Sequence, residues 1–431
     1  MSDLLRLATA GSVDDGKSTL VGRLLFDTKS VLADQIDAVT RASVDRGLAT
    51  PDLSLLVDGL RAEREQGITI DVAYRYFATP TRSFVLADTP GHVQYTRNTV
   101  SGASTAQLVI LLVDARKGVI EQTRRHAAVL ALLGVPRLVL AVNKIDLVAD
   151  PAAVFANISA EFTSLTTALG WSREDVVEIP VSALHGDNVA SRSKNTPYYD
   201  GPSLIEHLES VPVNADSAGK HSLGLRFPVQ YVIRPRTAEF PDYRGYAGQI
   251  AAGSVSRGDE IVVLPSGIRT TVQRIDTADG ELSTAQVGRS VTLILADDVD
   301  ISRGDTIASP SDAPEPIGEF DATVCWLAEK PLRPGARVLL KHGTKTTQAI
   351  VGNLLDRFDE QTLSSDPEPE TLGLNDIGRI SVRVAEPIVA DDYAVNRHTG
   401  SFLLIDPAGG NTLAAGLVGD VLSSVEVGSP A

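Results

Sequence analysis

The stretch Gly11-Ser12-Val13-Asp14-Asp15-Gly16-Lys17-Ser18-Thr19 constrains this chain more than any other. It has the form G-x-x-x-x-G-K-[ST]. It follows an apolar run from Leu4 to Ala10, with Arg6 inside it, and precedes a segment, Leu20 to Phe26, that reads as a helix. A strand that passes into a helix through such a loop offers convergent backbone N–H groups and the positive end of a helix dipole, which together bind phosphate. Lys17 is then placed to neutralise β- and γ-phosphates, and Ser18 to set its hydroxyl on Mg²⁺. The expected fold is an α/β P-loop domain.

Three more fragments follow in a fixed order. Asp88-Thr89-Pro90-Gly91 closes an apolar strand, Phe84 to Ala87; the Asp can hold Mg²⁺ through water and the Gly can offer its N–H to a γ-phosphate. Asn143-Lys144-Ile145-Asp146 closes another, Leu138 to Val142. The Asp146 carboxylate can accept from both the ring N1–H and the exocyclic amine of guanine. Adenine has neither donor and would leave a buried carboxylate unpaired. Ser182-Ala183-Leu184 follows a third strand, Val176 to Val181, and can reach the other edge of the base. Each fragment alone reads as a turn after a strand; four in this order specify a guanine-nucleotide site that takes GTP and GDP.

The segment Arg64-Glu65-Gln66-Gly67-Ile68-Thr69 supplies a Thr hydroxyl that can complete a Mg²⁺ shell only while a γ-phosphate is present, so its order depends on the ligand. Between Lys17 and Thr69 lie 51 residues, more than a small regulatory GTPase needs, and the extra length resembles the long first switch of translation-factor GTPases. The polar part, Ala33 to Glu65, looks helical in two pieces. His92 follows Gly91 and can reach toward an attacking water. Lys17, Thr69 and His92 are thus the expected catalytic residues, with Ser18, Thr69 and Asp88 around the metal. The other six histidines (126, 185, 207, 221, 342 and 398) read as surface or structural.

Composition sets further limits. A chain of 431 residues holds two or three domains with sizeable cores. Its net charge of −16 and pI near 4.9 disfavour a large nucleic-acid footprint, because each phosphate contact wants a Lys or Arg. A single cysteine, Cys325, rules out an intramolecular disulfide and a cysteine-rich metal site, and its neighbours Val324 and Trp326 suggest a buried thiol. The first ten residues lack the basic region and long apolar core of a secretion signal, and the longest apolar runs are of strand length. A cytoplasmic protein without a membrane association is expected.

Organisation changes near residue 212. Before it, strands alternate with helical patterns. After the linker-like segment Val211 to Ser222, short apolar strands recur between turns: Phe227–Ile233, Tyr246–Ala251, Glu260–Leu264, Thr270–Ile275 and Ser290–Leu295. This is the pattern of an antiparallel barrel. A Pro-rich break, Ser309 to Pro316, precedes a second all-β stretch, Phe320 to Val427. The reading is a GTPase domain over 1–212 followed by β-barrel domains over 220–310 and 317–428.

A GTPase domain followed by two barrels resembles the elongation factor family. Ser12 stands where the tRNA-carrying factors usually have His. The segments 63–77 and 88–98 are similar to the GTPase subunit of bacterial heterodimeric sulfate adenylyltransferase. So are Val229-Gln-Tyr-Val-Ile-Arg-Pro235, Arg244-Gly-Tyr-Ala-Gly248, Asp300-Ile-Ser-Arg-Gly-Asp305, Trp326-Leu-Ala-Glu329 and Asn396-Arg-His-Thr-Gly400. Val93 departs from the family pattern, which has an acidic residue after Gly-His. The resemblance implies a partner: a small ATP-sulfurylase subunit that carries the adenylylation site and joins AMP to sulfate, with pyrophosphate released from ATP. This chain, which has no second phosphate loop, would be the GTPase that drives it. Two other readings share the GTPase motifs, a translation factor carrying aminoacyl-tRNA and an assembly module with structural GTP. The acidic charge and barrel motifs speak against the first, and intact Lys17, Ser18, Thr69, Asp88 and His92 against the second.

Asp14 is the odd residue of the phosphate loop, since a bare carboxylate there repels the ligand. Either it turns outward and accepts N–H bonds from its own loop, or it faces inward and holds a monovalent cation on the α- and γ-phosphate oxygens. No arginine finger is obvious, although Arg64 and Arg97 lie near the switches.

Overall fold

Two runs, Leu108 to Val113 and Leu138 to Val142, are apolar at every position, which suits strands buried on both faces of a parallel sheet. In the computed structural model they are neighbouring interior strands, buried along their whole length. The structure describes residues 3–45, 47, 51–57, 72–90, 96–212, 223–235, 243–359, 362 and 364–421. The chain divides into two compact units, one built on residues 1–216 and the other on 217–359 and 364–423.

The first unit runs β1 (Asp3–Gly11), α1 (Lys17–Asp27), α2 (Ala33–Asp45), a 3-10 turn (Leu53–Leu56), β2 (Ala73–Ala78), β3 (Arg82–Asp88) and α3 (Thr96–Ala103). It continues β4 (Leu108–Asp114), α4 (Glu121–Leu132), β5 (Leu138–Asn143), α5 (Pro151–Ala168), β6 (Val176–Pro180) and α6 (Leu204–Ser210). The sheet order is β2-β3-β1-β4-β5-β6, and only the edge strand β2 is antiparallel. Parallel register brings the strand ends to one edge: Gly11 pairs with Leu112 and Asp114 with Asn143. Loops at that carboxyl edge are where open α/β sheets bind ligands.

Local chemistry explains the helices. Helix α5 starts where Asp150 accepts the Ala153 N–H at 3.1 Å and Pro151 takes the first turn. A reciprocal Ser203–Glu206 capping box opens α6. Helix α1 buries Leu20, Val21, Leu24 and Leu25 in the core that holds Leu5 and Leu7 of β1. Among its described residues the polar stretch after α1 contains one regular helix, α2, and the 3-10 turn; residues 46, 48–50 and 58–65 lie outside them.

The second unit holds two closed barrels. The first comprises β7 (Arg226–Ile233), β8 (Gly245–Gln249), β9 (Ser254–Ser256), β10 (Glu260–Leu264), β11 (Ile268–Thr277), β12 (Gly280–Leu282), β13 (Thr284–Gln286), β14 (Ser290–Leu295) and β15 (Thr306–Ala308). Its six-strand ring β10-β15-β7-β8-β14-β11 closes through β10–β11 pairing. The second comprises β16 (Ile317–Trp326), β17 (Arg337–His342), β18 (Lys345–Asp359), β19 (Ser364–Pro367), β20 (Ile377–Ile388), β21 (Ser401–Ile405) and β22 (Thr412–Val418). Six of these strands, β17-β21-β22-β16-β20-β18, close through β17–β18. Closure removes the exposed edges that open sheets must protect. Cys325 is buried in β16. No helix among the described residues is long and apolar enough to cross a membrane.

The two barrels are fastened by a buried arginine. Arg226 of β7, 2% exposed, grips Asp391 after β20 with three contacts of 3.2 Å and reaches the Asp312 carbonyl at 2.7 Å. Thr399 gives its hydroxyl to the same Asp391 at 2.5 Å. Val262, Leu264, Ala308 and Val389 pack into one apolar cluster that spans the same joint.

Candidate functional site: a guanine-nucleotide pocket

The phosphate loop owes its path to its two glycines. Gly11 has φ +146°, and a Cβ there would come within 2.8 Å of the Leu112 carbonyl oxygen. Gly16 has φ +95° as N-cap of α1, and its Cβ would collide with the Asn143 side-chain amide. Lys17, buried at the first position of α1, donates from Nζ to the carbonyls of Gly11 at 2.8 Å and Ser12 at 2.7 Å. Its ammonium is thus already held against the loop. Burial pushes the Lys17 pKa down, against the pull of Asp15, Asp88 and Asp14. Ser18 and Thr19 follow in the same first turn, half-buried like Val13.

Asp14 and Asp15 divide the labour. Asp15 is buried and accepts the Ser12 N–H at 2.8 Å. Burial raises its pKa, opposed by that hydrogen bond and by Lys17 and Lys117. Asp14 is exposed, in the left-handed region at φ +66°, and its carbonyl accepts from Lys144 Nζ. The loop N–H bond that an outward-turned Asp14 would make is made by Asp15.

The residues assigned to the base side lie close to one another. Asn143 donates from Nδ2 to the Asp15 carbonyl at 2.7 Å and accepts the Ala183 N–H on Oδ1 at 2.9 Å. One side chain therefore spans the phosphate loop and the loop after β6. Lys144, at φ +61°, bonds Asp114 at 3.0 Å. Asp146 sits in a 3-10 turn with its carboxylate partly open, 3.7 Å from His185 Nε2. Ser182 is buried, with Oγ accepting the His185 N–H at 3.3 Å, and Leu184 is half exposed. Asp88 is fully buried at the end of β3, where Thr9 donates to it at 2.8 Å. Thr69, Gly91 and His92 lie outside the described residues, as does Arg64.

Sequence reading missed several supports. Asp114 ends β4, and Arg116 forks onto it at 2.9 and 2.6 Å. Burial alone would raise the Asp114 pKa; hydrogen bonds from Arg116 and Lys144 override this and hold it well below the usual carboxylate range. The signal was available, since an Asp closes an otherwise apolar strand here as at Asp88. Arg23 of α1 donates to the Ala183 carbonyl at 3.1 Å and to the Leu184 carbonyl. No sequence pattern announces that contact.

His126 of α4 is also part of the site's support. It is buried, pairs with Gln122 at 3.1 Å and hydrogen-bonds the Gly11 backbone. Burial above all, then Lys17 and Arg125, lowers its pKa to about 3, against the Gly11 bond. His207 is lowered to about 4 by burial and then Arg137. An unfolded chain takes up these protons near the ordinary value of 6.5, and the folded one does not. Stability from them is therefore present above pH about 6.5 and is lost as pH falls toward 3, by up to about 1.4 kcal/mol per pH unit for each group. His126→Gln is expected to flatten the decline of the thermal midpoint between pH 6.5 and 4. An unchanged slope would show that His126 is not a titrating group.

Comparison with known proteins agrees with this geometry. Residues 2–223 match the elongation factor Tu GTP binding domain, and residues 319–419 match the GTP-eEF1A C-terminal domain-like family. The bifunctional enzyme CysN/CysC of Mycobacterium tuberculosis is 54% identical over 419 residues, covering 97% of this chain and 67% of the relative. Sulfate adenylyltransferase subunit 1 of Methylorubrum populi is 48% identical, over 100% of this chain and 90% of the relative. The same subunit of Bacteroides fragilis is 47% identical, over 97% and 86%. Similarity that runs through the nucleotide domain and both barrels at this level places the chain in the sulfate adenylyltransferase subunit 1 family, whose first half is an elongation factor Tu-type GTP-binding domain.

Proposed function

We propose that this chain is the GTPase subunit of a two-subunit, cytoplasmic sulfate adenylyltransferase in sulfate assimilation. The observation that carries the site is the Asn143 bridge between the Asp15 carbonyl and the Ala183 N–H, which sets phosphate loop and base loop at a fixed spacing. Relatives named sulfate adenylyltransferase subunit 1 carry the substrate class. The working division is a GTPase domain over 1–212 and barrels over 220–310 and 317–428.

In this reading Lys17 meets the β- and γ-phosphates, and Asp146 accepts from the guanine N1–H and amine. His92 orients the water whose oxygen attacks the γ-phosphorus as the bond to the β,γ-bridging oxygen breaks, leaving GDP and phosphate. One hydroxyl on the first turn of α1 and one buried carboxylate at the end of β3 suit Mg²⁺, which keeps waters and phosphate oxygens in its shell. Ser18 and Thr69 would hold it directly and Asp88 through water; when bound it supplies positive charge between phosphate oxygens.

The small partner would form adenylyl sulfate and pyrophosphate from ATP and sulfate. That anhydride lies uphill, and GTP hydrolysis pulls it only if the GTP and GDP states bind the partner's intermediates differently. The test is synthesis by the co-purified pair. GTP should raise the yield of adenylyl sulfate and a non-hydrolysable analogue should not; a yield indifferent to GTP overturns the coupling.

Two further outcomes are expected. Thr69→Ala leaves GDP binding near normal while slowing GTP hydrolysis and uncoupling adenylyl sulfate synthesis; equal weakening of GDP and GTP would make Thr69 structural. If Asp14 holds a monovalent cation, GTP hydrolysis rises when K⁺ replaces a large organic cation at constant ionic strength, and Asp14→Ala abolishes the difference. Equal rates in both salts would exclude that cation.

A further inference from the structure

The loop that meets the base must be held by something other than the base. Asn143 holds it from one side through the Ala183 N–H. From the other side the Ala183 carbonyl accepts from Arg23 Nε at 3.1 Å, and the Leu184 carbonyl accepts from Arg23 Nη2. Arg23 is itself fixed. Its side chain is 17% exposed, pairs with Asp27 one turn along α1 at 3.5 Å, and lies 5.7 Å from the centre of the Phe26 ring. Gly186, with φ +83°, closes the loop against the guanidinium.

These contacts close a ring. It runs from the Asp15 carbonyl through Asn143 to Ala183, from Ala183 through Arg23 into α1, and back along α1 to Lys17 and the phosphate loop. Leu20 and Leu24, fully buried, anchor the α1 segment of the ring in the core. A planar guanidinium suits this place because its rigid fork presents two donors to two carbonyls in a set geometry, whereas an ammonium is a compact point charge on a flexible stem.

We infer that Arg23 is a positioning residue for base recognition: it sets the distance of the Ser182–Leu184 loop from the phosphate loop, and so the fit of the base edge that carries the 6-oxo group. This rests on the guanine-site reading. Asp146 takes the opposite edge, so the two contributions separate by choice of nucleotide.

The experiment uses the full chain and three diphosphates. 6-Thio-GDP keeps the N1–H and 2-amine and weakens only the acceptor at position 6; IDP lacks only the 2-amine. Wild type should prefer GDP to both. Arg23→Met should lower GDP affinity about tenfold, the scale of one lost hydrogen bond to a charged group. It should also collapse the preference over 6-thio-GDP and leave the preference over IDP intact. GTP turnover at saturation should stay near wild type, with the loss in KM. Equal loss for GDP and 6-thio-GDP, or no loss, overturns the inference and leaves Arg23 as a packing residue. A wild type that does not distinguish GDP from ADP instead overturns the guanine site itself. Should Arg23→Met fail to fold, Arg23→Lys takes the same measurement and is expected to lose part of the 6-thio discrimination.

Discussion

Replacing His92 with Ala is expected to lower GTP turnover by about 10²- to 10⁴-fold, the range for loss of a general base or water-positioning group. Nucleotide affinity should change little. The two outcomes belong together because the side chains that shape the proposed nucleotide site lie elsewhere: Lys17 on its two loop carbonyls, Asn143 across the two loops, and Lys144 paired with Asp114. A fall in turnover with unchanged GDP affinity therefore isolates the water step. Wild-type turnover in the mutant would remove His92 from that step, and a parallel fall in affinity would make it a packing residue. Single-turnover measurement with pre-bound GTP separates hydrolysis from product release.

Asp146→Asn should exchange the base the protein uses. An Asn offers one acceptor and one donor where Asp offers two acceptors, which suits the 2-oxo group of xanthine in place of the 2-amine of guanine. A site built on hydrogen bonds rejects a mismatched base by about 10⁴- to 10⁵-fold, because buried polar groups are left unpaired. GTP use should fall and XTP use should appear. The structure leaves the Asp146 carboxylate partly open, with His185 at 3.7 Å, so the substitution meets little packing resistance. Unchanged GTP affinity would take Asp146 out of the pocket.

Much of the site was legible because its residues stand where strands end. Gly11, Asp88, Asn143 and Ser182 each close or follow an apolar run, and parallel register carries strand ends to one edge. Glu260–Leu264 and Ser290–Leu295 of the first barrel came out with the expected limits, since turns bound them on both sides. The very short strands Ser254–Ser256, Gly280–Leu282, Thr284–Gln286 and Thr306–Ala308 were not foreseen, because three residues hold too little alternation to register. Arg23 was illegible for a different reason. Its bond to the loop after β6 is made by tertiary folding, 160 residues along the chain, and nothing in the local pattern of α1 announces it. His126 reads as structural or surface and is structural, though its bond to the Gly11 backbone has no local signal. Asp14 and Asp15 show a finer limit: adjacent, identical side chains exchange roles on one backbone dihedral.

The Arg226 joint bears on how such chains can be recombined. The Pro-rich segment 309–316 resembles a spacer at which one barrel could be exchanged for a relative's, yet Asp312 within it helps hold Arg226. A chimera spliced there that lacked a counterpart of Asp391 would strand a guanidinium 2% exposed without its main counter-charge. Breaking a buried pair in that way costs about 3–5 kcal/mol, a large share of what keeps a domain folded. A splice placed before Gly224 carries the whole network across intact. In gene shuffling at the bench, the two barrels are therefore best moved as a single cassette unless the incoming barrel brings its own counterpart of Asp391.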